Sequence, residues 1–211
     1  MIFGTTARHP LAFFSRLVFL CCLVNPAWAA VISLDYVGPS NPLIGDTFAY
    51  QLRLSGLDPN RSENELLGGF QVEMAFNSTV INFERVQFSG LLGDPDMFEA
   101  IEFVGPTASG SLLFGSVSLL DSLLLADLQR TPGEDTFLDS LLLAAVVFSG
   151  AQKGISPIDL SNAVFSDALG TPIPSTPRVI QQSVKVPEPS MALLLLSGFA
   201  AFLVRNPKNR R

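Results

Sequence analysis

Beyond Ala29 the sequence contains no cysteine, no histidine and no tryptophan, because Cys21, Cys22, His9 and Trp28 all fall within the first 29 residues. Each absence removes a class of chemistry. Ser-His-Asp and Cys-His catalysis need an imidazole, and thiolate or imidazole zinc sites need ligands that the chain from Ala30 onward does not have. Disulfides are excluded there too, so a domain in this stretch must be held by packing alone. Charge is also scarce: 15% of residues are charged and 48% are hydrophobic, the reverse of a disordered composition.

Positive charge is the scarcer sign in the middle of the chain. Residues 30–186 carry seven Lys/Arg against eighteen Asp/Glu, a net −11, whereas the last seven residues hold Arg205, Lys208, Arg210 and Arg211. An acidic body argues against binding a phosphate backbone, so no nucleic-acid partner is expected. The acid is read first as a charge that keeps the domain soluble.

The two ends have the composition of targeting segments. Met1 to Ala29 opens with Arg8, His9 and Arg16 and no acid, continues into the short apolar run Leu17–Val24, and breaks at Asn25-Pro26. Ala27 and Ala29 in Ala27-Trp28-Ala29 then supply the small residues that signal peptidase requires, so residues 1–29 are expected to be a signal peptide. A lipoprotein signal is the competing reading, but Phe19 and Leu20 stand before Cys21 where small residues are needed.

At the other end Val186-Pro187-Glu188-Pro189-Ser190 precedes an apolar stretch, Met191 to Val204, and then the basic tail. Fourteen helical residues reach about 21 Å against a hydrocarbon core of roughly 30 Å, which suits a thin or transient span. On spacing alone a buried core helix is the other reading. The basic cluster would keep the tail cytoplasmic and the acidic body outside.

Pro-Glu-Pro, an apolar segment and an Arg-rich end together resemble the PEP-CTERM sorting signal of Gram-negative bacteria, which the membrane protease-transpeptidase exosortase recognises. The resemblance covers 187–211 and draws on Val186, Pro187, Glu188, Pro189, Arg205, Lys208, Arg210 and Arg211. It implies export across the inner membrane, a transient transmembrane helix, cleavage near Pro187-Glu188-Pro189, and a final place on the cell surface or in an exopolysaccharide matrix.

Between these ends, residues 30–186 read as one all-β domain. Strand-like runs occur at Val31–Val37, Thr47–Leu54, Gly69–Phe76, Val80–Phe88, Leu112–Leu119, Ser140–Phe148, Ile158–Ser166 and Arg178–Val186, with a weaker one at Phe98–Val104. In Phe70-Gln-Val-Glu-Met-Ala-Phe76 the alternation puts Phe70, Val72, Met74 and Phe76 on one face, and Gln71 and Glu73 on the other. Gly/Pro/Asn/Asp clusters such as Gly38-Pro39-Ser40-Asn41-Pro42 and Thr131-Pro132-Gly133 separate the runs. Leu119–Leu128 is the exception: Leu120, Leu124 and Leu128 have helical spacing, which fits a short helix or a flap over the core.

The order of these features is similar to the cohesin-like family. The similarity rests on Gly45-Asp46-Thr47-Phe48, on Gly68-Gly69-Phe70 through Phe83, and on Leu142–Phe148 followed by Ile155-Ser-Pro-Ile-Asp-Leu160. Asn77-Ser78 stands where the family often has Asp-Pro, and Asn also caps tight turns. The resemblance implies a nine-stranded jelly-roll β-sandwich. It further implies a non-catalytic structural, adhesion or protein-binding module, or alternatively a polysaccharide-binding one.

Two acidic groups could offer oxygen ligands to calcium: Asp94, Asp96 and Glu99, and Glu134, Asp135 and Asp139. Neither has the spaced series and glycine turn of an EF-hand, and solvated turns account for both; no cofactor is expected. Paired carboxylates could hydrolyse glycosides without histidine, but no pair stands out. Sugar platforms use flat aromatic faces, and only Tyr36 and Tyr50 join the many Phe residues, most of which sit at core positions.

Overall fold

A computed structural model describes residues 30–177 and 182–187. The expected signal cleavage site (Ala27, Ala29), the sorting residues Glu188 and Pro189, the transmembrane helix and the basic residues Arg205, Lys208, Arg210 and Arg211 lie outside the described residues. Among the described residues no helix is long and apolar enough to cross a membrane.

Among the described residues ten strands and one α-helix follow in the order β1 (Ala30–Val37), β2 (Thr47–Ser55), β3 (Leu67–Ala75), β4 (Ile81–Phe88), β5 (Ala100–Ala108), β6 (Ser111–Ser118), α1 (Ser122–Gln129), β7 (Ser140–Gly150), β8 (Gly154–Asp167), β9 (Ser175–Pro177) and β10 (Gln182–Val186). They form two five-stranded sheets, β4-β7-β2-β1-β9 and β10-β8-β3-β6-β5. The described pairings are antiparallel except β1 with β9. The fold is therefore the expected all-β, cohesin-like sandwich.

Period-two alternation builds the core. Ile32 and Leu34 of β1, Phe48, Tyr50, Leu52 and Leu54 of β2, and Phe70, Val72 and Met74 of β3 all turn inward. Phe148 of β7 lies at the centre, with the rings of Phe48, Tyr50, Phe76 and Phe83 at centroid distances of 6.0, 6.3, 5.1 and 6.3 Å. Such offset and edge-on contacts add specificity to apolar burial.

Bulges change the parity where the alternation fails. An extra residue in β7 opposite Leu52/Arg53 lets Leu141 and Leu143, then Ala144, Val146 and Phe148, all face the core. In β8 the step from Gln71↔Val164 to Glu73↔Ser161 adds one residue opposite β3. Asn162 takes that place with φ 48°, a left-handed conformation that Asn tolerates better than most side chains.

Three sequence expectations need correction, and a fourth is met in part. Of the expected run Arg178–Val186, Gln182–Val186 forms β10, and 178–181 lie outside the described residues. The sequence did not single out β9, Ser175–Pro177, which joins the other sheet and brings the described strands to ten where nine were expected. Phe98 opens no strand but closes a 3-10 turn, Pro95–Met97, and pairing begins at Ala100. Val80 belongs to the turn before β4, where Asn77 Oδ1 accepts from Thr79 N at 3.0 Å, the capping role expected of Asn. A short helix does form in the Leu119–Leu128 segment, over Ser122–Gln129, but its buried side is Leu125, Ala126 and Gln129, and Leu124 and Leu128 face out.

Candidate functional site

The outer faces of the two sheets differ in character. On the first sheet Asp35 pairs with Arg53 at 3.1 Å, Arg53 donates to Gln51 at 3.2 Å, and Ser149 donates to Glu84. This is the polar dress of a solvated face.

The second sheet carries successive rows set by its register. One row is Ile101, Val117, Gly69 and Ser166; the next is Phe103, Gly115, Gln71 and Val164; the third is Gly105, Leu113, Glu73 and Ser161. Ile101, Val117 and Val164 are 55%, 46% and 55% exposed, so apolar side chains point to water from β5, β6 and β8, with β3 running between the last two. Gly69 and Gly115 lower the centre of this patch. A Cβ on Gly115 would lie 2.6 Å from the Phe103 ring, so the ring can lie down over the sheet only because the position is glycine. The result is a shallow depression of about 210 Å³ lined by Gly69, Gln71, Phe103, Val117, Val164 and Ser166.

Next to the apolar rows sits a fixed carboxylate. Glu73 accepts from Ser111 Oγ at 2.7 Å and from Asn162 Nδ2 at 2.6 Å, and the Thr107 hydroxyl lies 3.0 Å from the same Oε1 that Ser111 serves. These donors, Ser111 first, then Asn162 and Thr107, hold the Glu73 carboxyl below its ordinary pKa. The β8 bulge makes this possible, since it is the extra residue Asn162 that reaches Glu73. The face therefore offers an apolar patch and one ionised acceptor in fixed relation.

The sequence placed Gln71 and Glu73 outward, and the structure does so. It did not single out Ile101, Phe103, Thr107, Ser111, Val117, Asn162 or Val164. Glycines inside strand-like runs, at 69 and 115, were the available signal that something approaches the backbone closely.

The acidic groups considered for calcium are engaged in their own turns. Asp94 accepts from Asp96 N at 2.9 Å, and Glu99 accepts from Asp94 N at 3.0 Å. Glu134 receives the Thr136 hydroxyl at 3.0 Å, and Asp135 faces Arg130 at 3.5 Å. Among the described residues no three His, Cys, Asp or Glu side chains are placed to share a metal ion. Tyr36 and Tyr50 supply no sugar platform: Tyr50 is buried, and their rings pack edge-on at 5.4 Å within the aromatic core.

The structure defines a class by shape, a cohesin-like sandwich. Similar solved structures include the cohesin module of a Clostridium perfringens family 33 glycoside hydrolase (12% identity, 76% of this chain and 97% of that one, TM-score 0.52). Others are the sixth cohesin of Acetivibrio cellulolyticus scaffoldin B (16%, 75% and 99%, TM-score 0.52) and a cohesin of Clostridium acetobutylicum (16%, 75% and 90%, TM-score 0.53). No protein-family model matches the chain, and no curated protein matches it in sequence. At these identities the likeness is one of fold.

Proposed function

We propose that this chain is an exported, non-catalytic protein-binding module that engages its partner through the outer face of β8-β3-β6-β5. The observation that carries the reading is the apolar patch of exposed Ile101, Val117 and Val164 around the half-buried Phe103 ring, set beside the fixed Glu73 carboxylate. An interface core needs apolar surface free of mobile charge, with oriented polar groups at its margin to set specificity. Support by analogy comes from the Acetivibrio cellulolyticus cohesin, which was solved in complex with a dockerin.

The same proposal places the module outside the cell. Signal peptidase would release it after Ala29, and exosortase would process it near Pro187-Glu188-Pro189, freeing it from a transient inner-membrane anchor to join a surface protein or exopolysaccharide. Intact-mass measurement on protein from the native host tests this part. The expected mature chain starts at Ala30 and ends near residue 188, and a chain that still carries Arg211 contradicts processing.

Binding is tested by passing the full chain, and its Val117→Asp and Val164→Asp variants, over the host's surface proteins and over its exopolysaccharide. Retention of wild type by protein, lost in both variants, is expected. Retention by polysaccharide that both variants keep would replace this reading with a polysaccharide-binding module.

A further inference from the structure

A second exposed apolar surface lies at one end of the sandwich. The turn holding Met97 and Phe98 leads into β5, and α1 leads out of β6; Leu119 N donates to Glu99 O at 2.7 Å, which ties the two segments together. Phe98 is 85% exposed and takes φ 59°, an uncommon conformation for an aromatic residue, so the turn keeps a large ring in water at the cost of backbone strain. On α1, Leu123 and Leu124 are 64% and 54% exposed, and Leu128, one turn beyond Leu124, shares its outward side.

Between turn and helix runs a cleft of about 410 Å³ lined by Phe88, Pro95 and Leu128 and by the acidic residues Asp94, Glu99 and Glu102. No lysine or arginine lines it. Asp121 and Asp127 of the α1 segment add further negative charge at this end. The Glu102 carboxyl is raised above its ordinary pKa by burial and then by the negative charges of Asp94 and Asp96.

We propose that this end is a second docking site, separate from the sheet face, for a partner-protein segment carrying a lysine or arginine flanked by large apolar side chains. The cation enters the cleft among Asp94, Glu99 and Glu102, and the docked segment excludes water around it, which strengthens the attraction. The apolar neighbours cover Leu124, Leu128 and Phe98. Charge complementarity selects this occupant, because an acidic or purely apolar segment leaves three carboxylates desolvated without a counter-charge.

The test is selection of a random dodecapeptide phage library on the full chain, with affinities of the enriched peptides measured against variants. Enriched peptides are expected to contain Arg or Lys beside at least two large apolar residues. They should bind about tenfold or more weakly to a Leu124→Ser/Leu128→Ser variant and to Glu102→Gln, and more weakly as salt rises from about 0.1 to 1 M. The Val117→Asp variant of the sheet face should bind them unchanged, so this site and the sheet-face reading fail independently. All substituted positions are at least partly exposed, and unaltered circular dichroism verifies the fold. Peptides without a basic residue, peptides indifferent to the leucine and Glu102 changes, or no enrichment overturn the proposal. So do self-association relieved by the leucine changes and binding to phosphatidylcholine vesicles through this end.

Discussion

The side chain of Gln129 closes a ring with the backbone of Leu67: its Nε2 donates to Leu67 O at 2.7 Å, and its Oε1 accepts from Leu67 N at 3.1 Å. Gln129 is fully buried on the last turn of α1, and Leu67 begins β3. A single amide thus joins the helix to the strand at the centre of the second sheet and satisfies two backbone groups that water cannot reach.

Replacing Gln129 by Ala leaves both Leu67 groups unpaired. The expected loss is about 2–4 kcal/mol in urea unfolding, with faster amide exchange at Leu67. Unchanged stability would show that another donor and acceptor take over.

Glu73 sets an acid limb to stability. Its carboxyl is held below the ordinary value of 4.5 by hydrogen bonds from Ser111, Asn162 and Thr107, so its contribution is present above that value and is lost as pH falls through the lowered one. Glu73→Gln should therefore lose less stability than wild type between neutral pH and pH values below 4.5. Parallel thermal melts across that range would contradict the network.

Glu102 has the opposite sign. Burial, then Asp94 and Asp96, raise its carboxyl above 4.5, so the fold favours the protonated form and loses that advantage as pH rises through the raised value. Glu102→Gln is expected to melt at a higher temperature than wild type at pH 7 and at the same temperature below 4.5. A lower melting temperature at pH 7 would mean that the ionised carboxylate has a partner.

Much of this structure follows from alternation. Phe70, Val72 and Met74 inward with Gln71 and Glu73 outward could be read directly, because the extra residue of β3, between Leu67 and Gly69, lies before them. Val164 could not, since the extra residue Asn162 reverses parity halfway along β8 and depends on a pairing with β3 that is distant in sequence. Buried polar residues were equally hidden. Arg61 is 7% exposed, donates to Asp58 O and Leu138 O at 2.9 Å each, and lies 5.3 Å from the centre of the Phe137 ring. Nothing near it in sequence distinguishes it from a surface arginine. Phe98 misled for the reverse reason: an aromatic next to a strand is usually core, and here the turn from Asp94 holds it in water.

Photo-crosslinking from Val164, in the full chain in its native host, tests the protein-binding reading most directly. A photoreactive phenylalanine analogue at 164 reports on the second sheet, and the same analogue at Gln87 reports on the outer face of the first. The account predicts a discrete protein adduct from 164, none from 87, and loss of the 164 adduct when Val117→Asp is added. Equal adducts from both positions, or a carbohydrate adduct alone from 164, would contradict it.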